Sequence, residues 1–160
     1  MRRDSLSFWQ STWLVTLRIL IGWHFLYEGI VKVLNPKWTS FGYLMDSGGF
    51  MSEHFKSLAQ NDNLLPIADF CVEWGLIVIG VCLILGLFAR IFSLLGIIML
   101  AFFYLSHPSC LSTNYAMPSE GSYLWIDKNI IEIAALALTS SFRTSRIMGL
   151  DGLFNRRKRY

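Results

Sequence analysis

The sequence predicts an all-α integral membrane protein: a bundle of four crossing helices forming one domain over residues 1–160, with short interfacial helices in the first outer loop. Three observations carry that prediction. The 160 residues are 54% hydrophobic with a mean hydropathy of +0.46, a membrane composition rather than that of a soluble core. The apolar runs approach the roughly 20 residues that a spanning helix needs. Most charges lie between those runs, and the few inside them are spaced to share helix faces.

The first crossing covers 13–34, WLVTLRILIGWHFLYEGIVKVL, and stops at Asn35-Pro36, where proline cannot continue the hydrogen-bond ladder. Met1-Arg2-Arg3 before it suggests a cleavable leader. However, the apolar run is too long for one, holds ionisable residues and precedes no small-residue cleavage site, so a retained helix is expected. At about 100° per residue, Lys32, Glu28 and His24 lie roughly 40°, 80° and 120° to one side of Arg18. The arc through Leu14, Leu17, Ile21 and Val31 is expected to face lipid.

Residues 37–65 form an interfacial segment. Met51, Phe55, Leu58 and Ala59 recur at helical spacing there, against Glu53, Lys56 and Gln60, which predicts short amphipathic helices capping the bundle. The second crossing, 66–88, starts at a proline and carries Asp69 and Glu73 one turn apart. A short link to Arg90 leads into the third, 91–106, closed by His107-Pro108. After a loop with Pro118 and Gly121, the fourth crossing, 123–142, opens with Trp125, Asp127, Lys128 and Asn129 and holds Glu132 further in.

Arg2, Arg3, Arg90, Arg143, Arg146 and the tail Arg156-Arg157-Lys158-Arg159 fall on one side of this arrangement. That side is predicted to be cytoplasmic, with both termini inside. Arg90 thus marks topology, and Arg18, about 8 Å from the cytoplasmic start of its helix, is expected to snorkel to the interface. A net charge of +3 is too small to argue for nucleic acid, and the lipid bilayer is the partner expected first. Cys71, Cys82 and Cys110 have no metal-ligand or CxxC spacing; Cys82 reads as a core residue, and a Cys71–Cys110 disulfide is an open alternative.

The residues that point to chemistry are acidic. Counted at 1.5 Å per residue, Glu28, Glu73 and Glu132 each lie about 10 Å in from the outer end of a different helix. Lys32, Lys128 and His107 should sit nearer the mouth, and His24 somewhat deeper. A carboxylate in hydrocarbon must be paired, hydrogen-bonded or protonated, so three at one level predict a polar, outward-opening pocket. Its cations would draw in an anion and its carboxyls would pass protons. The alternative is a set of interhelical ion pairs, such as Glu28 with Lys128, that fix helix register. No haem or metal spacing, phosphate loop or nucleophile elbow accompanies these residues.

The runs LRILIGWHFLYEGIVKVLNPKWTSFGYL, WGLIVIGVCLILGLFARI and EGSYLWIDKNIIEIAALAL resemble, in order and spacing, the DoxX/DoxD family of small bacterial membrane proteins, from about Leu17 to Leu138. Arg18, Glu28, Lys32, Trp74, Arg90, Lys128, Asn129 and Glu132 carry the resemblance. It implies a four-helix bundle in the bacterial cytoplasmic (inner) membrane. Some members form the membrane part of a thiosulfate:quinone oxidoreductase, and others act beside partner proteins in redox homeostasis. No second domain like the small partner subunit of the archaeal enzyme is seen, and a small partner subunit and a homo-oligomer are both open alternatives.

On that reading Lys32 and Lys128 attract the anion, with His24, His107 and Asn129 near them. Glu28, Glu73 and Glu132 handle the protons of a quinone, and Trp74 or Trp125 packs its ring. Two other readings compete: a non-catalytic membrane partner or assembly subunit, and a transporter of small molecules or lipid, for which the chain is short and shows no repeat.

Overall fold

The computed structural model describes residues 7–109, 115, 125–142 and 148–151, and every element among them is helical. Helix α1 runs Phe8–Leu34, α2 Phe41–Met45, α3 Ser52–Ala59, α4 Leu65–Leu85, α5 Ala89–Ser106 and α6 Lys128–Ser141.

Each long helix begins and ends where local chemistry dictates. Ser7 opens α1 in a capping box: its hydroxyl accepts the Gln10 amide, and the Gln10 side chain accepts the Ser7 amide. Pro66 lies in the first turn of α4, where the amide it lacks would have no partner. Gly86 ends α4 in the left-handed region at φ 65°, and Phe88 follows at φ 44°, so three residues turn the chain back into α5. Asp127 caps α6 by accepting the Ile130 amide at 3.0 Å.

Helices α1, α4 and α5 are long and apolar enough to cross a membrane. Within the fourth predicted crossing, 123–142, the described residues are helical from Lys128 to Ser141. Those 14 residues rise about 21 Å, short of a hydrocarbon core of about 30 Å. Asp127 sets the start of the helix, since it is itself in extended backbone while its side chain accepts the Ile130 amide.

The long helices close a ring in which α1 packs mainly on α4 and α5 mainly on α6, with smaller α4–α5 and α1–α6 contacts. Lipid tails are as apolar as leucine, so close backbone approach, rather than burial from water, holds such helices together. Glycines make the α1–α4 seam. A Cβ added to Gly80 would lie 2.5 Å from the Leu26 amide nitrogen and 2.7 Å from the Gly22 carbonyl oxygen. One added to Gly29 would lie 2.9 Å from the Ile77 amide nitrogen. Ile21, Phe25, Leu76, Ile79, Leu83, Leu100 and Leu136 fill the centre.

This seam corrects the expected lipid face of α1. Leu14 and Ile21 are buried and Leu17 packs on the core, while Trp23, Tyr27, Ile30 and Leu34 are exposed, with Val31 alone of the predicted arc among them. Gly22 and Gly29 share the side of Arg18, and the side that lets α4 approach is the side that turns inward.

The segment between α1 and α4 forms the expected short helices and lies over the start of α4 and the end of α5. Asp69 on α4 accepts from the Ser40 amide and hydroxyl and from the Thr39 hydroxyl, pinning the start of α2. Tyr43 donates to the Phe103 carbonyl, and the Gly48 amide to that of Ser106.

A second polar cluster gathers there. The His107 ring stacks on Tyr43 with centroids 4.0 Å apart, its Nδ1 lies 3.1 Å from the Ser106 hydroxyl and its Nε2 3.8 Å from Asp46. Burial pushes the His107 imidazole below its ordinary value of 6.5, only partly opposed by Asp46, and burial pushes the Tyr43 phenol up. Because the folded protein binds the His107 proton less readily than the unfolded chain, stability is full above about pH 6.5 and falls as the pH drops through that value. A melting temperature that declines from about pH 7.5 to 5, with a shallower decline in His107→Gln, is the expected result.

Candidate functional site

Between the four long helices lies a cleft of about 70 Å3, lined by His24, Phe25, Glu28 and Lys32 of α1, Leu76 of α4, Leu100 and Phe103 of α5, and Lys128 and Asn129 of α6. One wall is charged and the floor is apolar. Helical spacing explains the charged wall, since His24, Glu28 and Lys32 follow one another at i, i+4 and i+8.

Two ion pairs organise the charges. Lys32 Nζ lies 2.5 Å from Glu28 Oε2 on the same helix and also donates to the Glu28 carbonyl at 3.2 Å. Trp38 lies beneath the same ammonium, 5.7 Å from nitrogen to ring centroid. The pair that crosses between helices joins α1 to α6: His24 Nδ1 lies 2.9 and 3.1 Å from the two oxygens of Glu132. The Glu132 side chain is 11% exposed against 39% for His24, so the carboxylate is the inner partner and the imidazole the outer one. A carboxylate on Nδ1 fixes which ring nitrogen carries the hydrogen and leaves Nε2 to meet whatever enters. Asn129 donates to Asp127, at the cap of the helix that presents Lys128 and Glu132.

The predicted site residues therefore separate into groups. His24, Glu28, Lys32, Lys128 and Asn129 line the cleft, and Glu132 stands directly behind His24. Glu73 does not join them. Its depth agrees with the count along the helix, because its carbonyl oxygen lies 3.1 Å from a Cβ built on Gly29, next to Glu28. Its backbone, however, faces α1 across the glycine seam, and among the described residues no hydrogen bond or ion pair reaches its carboxylate. Trp74 and Trp125 are both exposed. Trp74 pairs with Phe70 on the outer face of α4, and the Trp125 carbonyl accepts from Tyr104. His107 belongs to the Tyr43–Asp46 cluster.

Arg18 does not snorkel. It is 1% exposed and its Nη2 donates to the Met148 carbonyl at 2.6 Å, against the turn at Gly86. Arg90 ties the start of α5 to the end of α6 through the Ser140 carbonyl. Both therefore act on packing at the end of the bundle away from the cleft. Cys71 is an exposed free thiol and Cys82 a buried one, while Cys110 lies outside the described residues.

The His24–Glu132 pair is the feature that sequence reasoning missed. A signal was present: His24 stands one turn from Glu28, and Glu132 one turn from Lys128. Which of the four would meet across the seam depends on the rotation of two helices about their own axes.

A family model described as DoxX matches residues 13–108, the span from α1 through α5. It stops short of α6, so Lys128, Asn129 and Glu132 lie outside the matched region. Neither the curated proteins nor the solved structures compared with the chain yield a match.

Proposed function

The chain belongs to the DoxX family and is a membrane protein with three apolar helices of spanning length, and from that premise we propose that it is a quinone-linked redox subunit of the bacterial inner membrane. On this reading helix α6 serves as the fourth crossing, its short rise met by local thinning of the bilayer, and both termini are cytoplasmic. The observation that carries the proposal is the His24–Glu132 pair, a carboxylate-oriented imidazole lining a cleft with an apolar floor.

The chemistry of the donor set suits a quinone carbonyl. An acceptor oxygen needs a proton donor, which the Lys128 ammonium supplies, as does His24 Nε2 when the ring is an imidazolium paired with Glu132, and the ring needs apolar neighbours, which Phe25, Leu76 and Leu100 supply. The cleft is small: about 70 Å3 is under half the roughly 150 Å3 in which an engineered cavity holds benzene. It therefore takes the carbonyl edge of a ring, with the rest outside. By analogy with thiosulfate:quinone oxidoreductases, two thiosulfates joined through a new S–S bond yield two electrons, which with two protons reduce the quinone. In this chain His24 passes protons, Glu132 orients it, and Glu28 holds Lys32 at the mouth.

The test is quinone reduction with thiosulfate by the full chain in lipid nanodiscs, supplied with the products of its neighbouring genes. His24→Gln and Glu132→Gln should each lower turnover about 100-fold, the usual loss when an acid–base group is removed. Absence of quinone reduction by the wild type, or full activity in both variants, defeats the reading. A second reading, a non-catalytic partner, is favoured by the same pair, since His24–Glu132 also fixes α1 against α6. Under it both variants would lose stability and nothing else.

A further inference from the structure

The cleft is open at its side. Gly22 of α1 packs against Gly80 of α4, and Gly29 against the Glu73 carbonyl, so α1 and α4 run antiparallel in a known register. By that register the middle of α4, Gly75, is level with Tyr27, and His24 and Glu28 lie within about 5 Å of that level. Both are nonetheless partly accessible, their side chains 39% and 43% exposed. On the helical wheel Val31 stands about 20° from His24 and Leu20 about 40°, and both are exposed apolar residues of the α1 outer face. Across the seam, Ile131 and Leu138 are the exposed apolar residues of α6. This seam is also narrow, since α1 meets α6 over a far smaller face than it meets α4.

Charged groups at the edge of a lipid-facing stripe, midway along a spanning helix, are costly unless something polar covers them. A neighbouring lipid tail cannot do so. We propose that the α1–α6 seam is a lateral doorway taking an amphiphile from the bilayer: a small polar head enters between His24 and Glu28, and a long apolar tail lies outside along Leu20, Tyr27 and Val31 on one side and Ile131 and Leu138 on the other. The size of the cleft points the same way, since it admits a head and leaves the remainder in lipid. The proposal rests on the quinone-linked reading of the cleft and adds where the ligand comes from and what holds its tail.

The experiment uses the full chain in phosphatidylcholine nanodiscs and a long-tailed quinone with a photoreactive diazirine in its tail. Labelling should concentrate on 20–31 and 131–138. A tailed quinone should compete at a concentration about tenfold or more below that needed of a tail-less analogue, because the tail holds it in the bilayer. Ile131→Trp, at an exposed position, should reduce labelling several-fold, while Leu94→Trp, exposed on α5, should not. Labelling spread evenly over the outer faces of α4 and α5, or equal competition by the tail-less analogue, overturns the doorway. So do crosslinks between two copies through Tyr27 or Ile131, which would make a second chain the cover. Since labelling needs no turnover, a labelled seam in a protein that never reduces quinone keeps the doorway and removes the redox reading; reduction without seam labelling does the reverse.

Discussion

Gly80→Leu is expected to leave no folded bundle, and Gly80→Ala to cost about 3 kcal/mol, the upper end for overpacking a tight contact. The atoms that would meet the new Cβ are backbone: the Leu26 amide nitrogen at 2.5 Å and the Gly22 carbonyl oxygen at 2.7 Å. A side chain in the way could change rotamer; backbone inside a helix cannot move without breaking its own hydrogen bonds. The helices would have to separate, and since separation in lipid loses van der Waals contact with no hydrophobic penalty to oppose it, little would restore the seam. Gly75→Ala is the control, because its Cβ would meet only the end of the flexible Met99 side chain. Unfolding in mixed micelles should separate the two, and a Gly80→Ala protein as stable as Gly75→Ala would disprove the account of the seam.

Arg18→Ala should cost about 3 kcal/mol or more, the range seen when one member of a buried charged contact is removed. Among the described residues Arg18 is the largest side chain wholly inside the bundle, so truncation empties space as well as removing charge. It also strands its partners. The Met148 carbonyl loses its guanidinium donor, and Asp151 loses the neighbouring positive charge while still accepting the Phe88 amide at 3.0 Å. Arg18 therefore adds a buried cation to the Asp151 bonds with Phe88 and Gly86 that hold the segment 148–151 on the turn between α4 and α5. Proteolysis should show residues near 148–151 cut much faster in Arg18→Ala, with cutting in the 41–59 segment unchanged. Arg18→Lys should rescue only in part, since an ammonium lacks the planar, forked donors of a guanidinium. Equal protection in wild type and Arg18→Ala would show that the contact does not hold the segment.

Much of this architecture was legible in the residues. The proline stop at Pro36, the glycine turn at Gly86 and the proline start at Pro66 mark the helix ends to within a few positions. The period of the apolar residues in 51–59 announced the short helix α3. What misled was azimuth. Leu14 and Ile21 read as a lipid-facing arc because leucine and isoleucine suit lipid and protein interior equally well, so composition carries no sign of which way they turn. The glycines decided it, through a contact with a helix some 50 residues further on. Glu73 shows the same limit: its backbone is level with Gly29 and Glu28, yet it is not among the residues that line the cleft. His107 and Tyr43 were invisible as a pair, being brought together only by the fold of the segment between α1 and α4.

The sequence by itself determined that this is a membrane chain, where most of its helices stop, and that Glu28 and Glu73 share a level along the bundle, because a helix rises by a fixed amount per residue. Tertiary structure alone decided which of those charges meet: His24 with Glu132, Glu28 with Lys32, and Glu73 with neither pair. Rotation about a helix axis moves no residue in depth, yet it is fixed only where backbones touch, and here that is the contact of Gly22 and Gly29 with α4.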